Sequence, residues 1–162
     1  MSTSRTFRRI PAGSVVPALG PLTTATVSGD TAAATSTAFA PGRSGSPTSS
    51  VDRVADFYGA YVDVLHDSGR GRLSGALRAH YLTAGLQRSL TRWEAAHHRD
   101  GVLRAKGVPV QWSVVHNDSG MGHCWSRVML TWQDSAHLTH RTHLMVQSDL
   151  ATGLISAIKT DK

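Results

Sequence analysis

From Ser50 onward the apolar positions fall first at helical spacing and then at strict alternation, which divides this stretch into a helical half and a sheet half. Val54, Phe57, Tyr58, Tyr61 and Leu65 stand at i, i+3, i+4, i+7 and i+11, one continuous stripe on a helix face. Ser50 is the expected N-cap, and Asp52 and Asp56 lie in the first turns, where the helix dipole favours negative charge. Ser68-Gly69-Arg70-Gly71 ends this helix. A short second helix is predicted over Leu73 to Tyr81. Thr83 caps a third helix that carries Leu86, Leu90, Trp93 and His97 on one face, and Asp100-Gly101 breaks it. Val102 to Lys106 fits a short helical turn.

From Val108 the period is two. Val110, Trp112 and Val114 alternate with Gln111 and Ser113, and Asn117-Asp118-Ser119-Gly120 supplies turn chemistry. Cys124, Val128, Leu130 and Trp132 alternate with His123, Arg127 and Thr131 before a turn at Asp134-Ser135. Leu138, Leu144 and Val146 alternate with Thr139, Arg141, His143 and Gln147, and a last strand runs from Leu154 to Lys159. Helices followed by four strands predict an α+β domain, with the N-terminal helices packed on one face of a curved four-stranded antiparallel sheet.

Pairing the second and third strands so that apolar positions share a face sets Cys124 opposite Val146, Val128 opposite Thr142, Leu130 opposite His140 and Trp132 opposite Leu138. The other face then collects His123, Trp125, Arg127, Met129 and Thr131 with Thr139, Arg141, His143, Met145 and Gln147. Within it Trp125, Arg127, Arg141 and His143 form the candidate binding surface, because tryptophan with arginine is the composition of interaction hot spots and of single-stranded nucleic-acid platforms. A homodimer contact or an ordinary solvated surface fits the same face. Tyr58, Tyr61 and Trp93 are core residues or the lining of an internal pocket. Beside such a pocket, Asp63, His66 or His80 could serve as general acid or base.

Composition adds a second division. Residues 1–50 are rich in Ser, Thr, Ala, Gly and Pro, whereas all nine histidines, all four tryptophans and the single cysteine lie in 51–162. The expected organisation is therefore a disordered leader or tether over 1–50 and one domain over 51–162. In the leader, Arg5, Arg8 and Arg9 precede a mildly apolar stretch from Ile10 to Leu22, and small residues follow at Ala32-Ala33-Ala34 and Ala38-Phe39-Ala40. This is the order of a secretory signal, though Pro11, Pro17 and Pro21 interrupt the apolar part. Export to the envelope or medium is the expectation, with a cytoplasmic protein carrying a proline-rich tail as the alternative. No stretch reaches the roughly eighteen apolar residues of a membrane span, so the domain is expected to be soluble. Of the net charge of +6, half resides in the leader. The domain is only mildly basic, which is weak support for acidic partners or nucleic acid.

The reactive side chains fit no catalytic motif. His140 and His143 on one strand point to opposite sides, as do His123 and Cys124, and no His-x-x-x-His or Cys-x-x-Cys pair occurs. Neither a metal nor another cofactor is expected. Cys124 falls on the apolar face, where a thiol packs as a small hydrophobe. There is no Gly-x-Ser-x-Gly elbow, and Ser68-Gly69-Arg70-Gly71 is too short for a phosphate loop and follows no strand. One cysteine also excludes an intrachain disulfide.

Val54-x-x-Phe57-Tyr58-x-x-Tyr61, then Tyr81-Leu82-Thr83-x-x-Leu86, then Asp100-Gly101-Val102-Leu103-x-Ala105 carry a likeness that spans about two-thirds of the chain. With these motifs the domain resembles the cystatin-like α+β roll superfamily typified by nuclear transport factor two, and within it small bacterial exported domains of unknown function. The resemblance implies a curved sheet wrapped around a long helix, leaving a cone-shaped cavity. That scaffold hosts isomerases, dehydratases, ligand binders and interaction modules, so function has to be argued from a site. The expectation is a non-enzymatic binding or interaction domain, dimeric, with a protein or small-molecule ligand. The alternative is a pocket enzyme of the lyase or isomerase type, which a cavity above roughly 300 Å³ holding a buried acid–base group would favour.

Overall fold

A computed structural model describes residues 42–161 of the chain. The leader expectations for export and for a disordered tether fall mostly outside these residues. Three helices, α1 (Ser50–Ser68), α2 (Arg72–Tyr81) and α3 (Ala84–His97), precede four strands, β1 (Gln111–Gly120), β2 (His123–Gln133), β3 (Thr139–Asp149) and β4 (Ile155–Thr160). The strands form one antiparallel sheet in the order β1-β2-β3-β4. This is the expected α+β class.

The stripe on α1 faces the sheet. Val54, Phe57, Tyr58, Tyr61 and Leu65 are all buried, joined by Val62. They meet Val128, Leu130, Trp132, Leu144, Val146 and Ile158 from one side of the sheet, with Leu82, Leu86 and Leu90 from the helical layer. Caps sit where the backbone needs them. Ser49, one residue before the predicted Ser50, holds α1 by accepting from the Asp52 amide at 3.2 Å. Thr83 caps α3 as expected, accepting from the Leu86 amide at 3.2 Å.

Ahead of α1, Arg43 lies 4.6 Å above the Trp112 ring and donates to the Ala55 carbonyl at 3.2 Å. This packing leaves no room beside Gly59, where a Cβ would come within 2.8 Å of Trp112 Cζ2 and 3.0 Å of Arg43 Nη1. Gly59→Ala is therefore expected to destabilise by about 1–3 kcal/mol through overpacking, although alanine is the better helix former. Thermal denaturation checks this, and a rise in Tm would contradict it.

Two local expectations need correction. The β2–β3 pairing is offset by two residues from the predicted one: Cys124 faces Ser148, Val128 faces Leu144, Leu130 faces Thr142 and Trp132 faces His140. The cause is the β2–β3 connection. Asp134 Oδ1 accepts from the amides of Ala136 and Leu138 at 2.9 Å each, and the Asp134 amide donates to the Leu138 carbonyl at 3.0 Å. Leu138 is thereby spent in the turn and is 68% exposed. An even offset leaves every side chain that stays in the ladder on its predicted face, so Cys124, Val128, Leu130, Trp132, Leu144 and Val146 are still buried on the inner side.

The first hairpin also turns later than Asn117-Asp118-Ser119-Gly120. A bulge between His116 and Asp118 absorbs one residue, and Asp118, Ser119 and Gly120 stay in the ladder. The chain reverses at Met121 and Gly122, with φ of 52° and 78°. Two consecutive left-handed residues are the backbone of a hairpin turn whose twist matches the strands.

Candidate binding surfaces

Three groupings of polar and aromatic side chains emerge from this frame. The first is buried. Asp100, at the end of the helical layer, is 2% exposed at its side chain and works in two directions. Its Oδ1 accepts from the amides of Val102 and Leu103 at 2.9 Å each, tying a tight turn. Its Oδ2 accepts from Tyr61 Oη at 2.8 Å and from Arg78 Nη2 at 3.0 Å. Arg78 also holds Glu94 with Nη1 to Oε2 at 3.1 Å and Nη2 to Oε1 at 2.6 Å. Glu94 Oε1 in turn accepts from the Gly101 amide at 2.7 Å.

Every member of this network is engaged by another, so it joins α1, α2, α3 and the 100–105 turn and presents no reacting atom. Its electrostatics agree. Burial and the nearby Asp100 charge push the Tyr61 hydroxyl well above the usual phenol range. Burial alone would raise the Glu94 carboxyl, but the hydrogen bonds from Arg78 and Gly101 outweigh it and hold it below its ordinary value. For Arg78, burial opposes the charge, and the Glu94 hydrogen bond with the surrounding negative groups more than restores it. These are the shifts of a satisfied ion-pair cluster. Sequence patterning did not reveal it, because Arg78 and Glu94 belong to no apolar stripe and Asp100 reads as a helix stop.

The second grouping is the sheet face turned away from the helices. Trp125, Arg127, Arg141 and His143 all lie on it, as expected, with Trp125 half-buried and the other three exposed. Lys159 joins them from β4, its Nζ 5.4 Å from the centre of the Trp125 ring. Arg127 pairs with Asp161 at 3.2 Å. Arg141 and His143 make no side-chain hydrogen bond or ion pair among the described residues. Val115 is exposed there, Met129 and Met145 are half-buried, and Thr131 is buried on the same side.

The third grouping is an open cleft of about 670 Å³ on the helix-bearing side, at the end of the sheet where β2 stops and β3 begins. Trp93 from α3 and residues 103–106 form one wall, Trp132, His140, Thr142 and Leu144 form the floor, and Arg99 and Thr160 lie at its margin. Trp132 is locked by donating from Nε1 to Thr142 Oγ1 at 2.9 Å. Trp93 stacks on His97 at 4.2 Å between ring centres, and the Arg104 guanidinium sits 4.4 Å from the Trp93 ring.

Of the predicted pocket residues, only Trp93 reaches this cleft. Tyr58 is wholly buried in the core, its hydroxyl 3.4 Å from the Val102 carbonyl, and Tyr61 belongs to the Asp100 network. Asp63, His66 and His80 are exposed elsewhere. The cleft clears the volume that would suit an enzyme, but its acid–base group is the exposed His140, and no carboxylate lines it. Cys124 points inward and is buried. Among the described residues no three His, Cys, Asp or Glu side chains converge as a metal site would require, and no helix is long and apolar enough to cross a membrane.

The chain matches no protein-family model, and no curated protein is similar to it. It is similar in fold to a crystal structure of a protein of unknown function from Bacteroides thetaiotaomicron VPI-5482. The two share 21% identity over 68% of this chain and 88% of that one, with a TM-score of 0.56. At that identity the likeness speaks for the fold.

Proposed function

We propose that the domain is a non-enzymatic binding module whose working surface is the free face of its sheet, and that its partner is an acidic protein segment. The observation that carries this reading is the one-sided packing: among the described residues, α1, α2 and α3 cover only the face bearing Val128, Leu130, Leu144 and Val146. The opposite face holds Trp125, Arg127, Arg141, His143 and Lys159, and of the carboxylates on it among the described residues Asp161 already holds Arg127. Asp118 is the cross-strand partner of Trp125 and Asp149 that of His123, so these two carboxylates sit toward the β1–β2 hairpin, while Arg141 and His143 stand further along the ladder, opposite Thr131 and Met129. A tryptophan flanked by unmatched cations offers an anchor and a charge complement to an acidic chain.

A homodimer across the same face is the second reading, favoured by Val115, Met129 and Met145 at its middle. Charge opposes it, since a two-fold contact brings the same cationic patch of both copies together. The cystatin-like resemblance and export through the basic, then small-residue leader belong to this proposal. The helices-then-meander order supports the first, and the order of residue types in the leader supports the second.

The test is fluorescence anisotropy with a labelled Glu/Tyr-rich peptide and a Lys/Tyr-rich control. Binding to the acidic peptide is expected to weaken with added salt. It should fall about tenfold in Arg141→Gln/Lys159→Gln, as loss of charge-assisted contacts predicts. Equal affinity of that variant, or no preference for the acidic peptide, would remove the proposal. A stable dimer in sedimentation equilibrium that Met129→Asp dissociates would replace it with the homodimer.

A further inference from the structure

The cleft on the helix-bearing side has a lining of unusual balance. Arg99, Arg104 and Lys106 contribute three cations, Trp93 and Trp132 contribute aromatic walls, and His140, Thr142 and Thr160 add hydrogen-bonding groups. No aspartate or glutamate lines it. The three cations form no ion pair among the described residues, in contrast to Arg43, Arg70, Arg78 and Arg127, each of which faces a carboxylate. Glu94 and Asp100 act on Arg104 through the wall but are turned into Arg78.

Arg104 is the structural centre of this arrangement. It occupies the left-handed region at φ 57°, within the turn tied by Asp100. Non-glycine residues adopt that region only where the surroundings impose it. One end of its guanidinium is anchored by donation from Nη2 to the Ile158 carbonyl at 2.7 Å, and its plane lies against Trp93. Its Nε is buried with no hydrogen-bond partner. Burial lowers its pKa, the sign of a cation held partly out of water. A fixed guanidinium beside two exposed cations, in a cleft with aromatic walls, concentrates positive potential.

We propose that this cleft binds a small organic anion whose charged group is a carboxylate or phosphate and whose body is planar and apolar. The anionic group meets Arg99, Arg104 and Lys106, while the planar body lies along Trp132 and against the edge of Trp93, whose faces His97 and Arg104 cover. The volume of about 670 Å³ is that of a small-molecule site. Its apolar lining explains why a bare ion alone would not fill it. The site is on the opposite side of the sheet from Arg141 and Lys159, so it is independent of the acidic-partner reading.

The probes that test it are 2-naphthoate, 2-naphthyl phosphate and the neutral 2-naphthamide, titrated against the full chain by calorimetry. At least one anion is expected to bind more tightly than about 1 mM, the level that a ligand of this size reaches at ordinary efficiency. The amide should bind about tenfold more weakly, because it forfeits the charge-assisted hydrogen bonds. The relative affinity of the two anions tells carboxylate from phosphate.

Arg99→Gln/Lys106→Gln changes two exposed side chains and leaves the core intact. It is expected to cut the preference for anion over amide severalfold, Arg104 remaining in place. Arg88→Gln, on an exposed part of α3 outside the cleft, should keep it. Absence of binding by both anions, equal affinity for the amide, or an unchanged preference in the double variant would each overturn the proposal.

Discussion

Arg78→Leu is expected to lower the free energy of unfolding by about 3–5 kcal/mol, the range for removing one partner of a buried ion pair. The Arg78 side chain is 17% exposed and the carboxylates it serves, Glu94 and Asp100, are 20% and 2% exposed. Deleting the cation leaves two desolvated negative groups and the Tyr61 hydroxyl competing for the remaining donors. For a domain whose whole stability is of order 5–15 kcal/mol, that loss is a large share.

The pH dependence of the same measurement identifies the cause. The folded-state pKa of Glu94 lies below its ordinary 4.5. Its contribution is therefore complete above that value and is lost as the pH falls through the lowered folded-state value. Urea midpoints of the wild-type protein should decline below about pH 4.5. The deficit of Arg78→Leu should narrow over the same range, because protonated Glu94 no longer needs the cation. A deficit that stays constant with pH would mean that Arg78 stabilises through packing of its stem rather than through charge.

Phe57→Ala should cost about 3–5 kcal/mol as well, by a different route. Phe57 is fully buried on α1, with the rings of Tyr58, Tyr61 and Tyr81 at 5.4, 5.3 and 5.5 Å between centres. Truncation opens a cavity between rings whose hydroxyl or edge contacts hold them in place, so collapse is limited. Phe57→Leu keeps most of the volume and should cost less than about 1.5 kcal/mol. Equilibrium urea unfolding with an unchanged m-value measures both. A loss below about 1 kcal/mol for the alanine variant would show that this core repacks freely.

The stripe Val54, Phe57, Tyr58, Tyr61 and Leu65 was legible because helical periodicity is local: one face of one helix needs no knowledge of what it meets. The sheet faces were legible for a similar reason. Alternation assigns Arg127 and Val128 to opposite sides whichever strand lies beside them. The outer-face candidates Trp125, Arg127, Arg141 and His143 therefore appear together as expected. The pairing of Val128 with Leu144 was not legible, since an offset of two residues satisfies the same alternation. Asp134 decided it, by drawing Leu138 into the turn.

The cleft shows the same boundary from the other side. Arg99, Arg104 and Lys106 are close in sequence, the last two in a segment that reads as a short helical turn, while Trp93, Trp132 and His140 come from a helix and two strands. No periodic signal links them. They meet because the Asp100 turn holds Arg104 against Trp93 and because β2 stops and β3 begins at the same cleft.

Read alone, the amino-acid order determined the helical and alternating segments, the α+β class and which residues face the core, because each of these follows from the geometry of neighbouring positions along one chain segment. Tertiary structure alone decided the β2–β3 register, the Arg78–Glu94–Asp100 cluster and the cationic cleft. The cluster and the cleft depend on contacts between residues far apart in sequence, and the register on how one turn closes, choices that hydrophobic periodicity leaves equal.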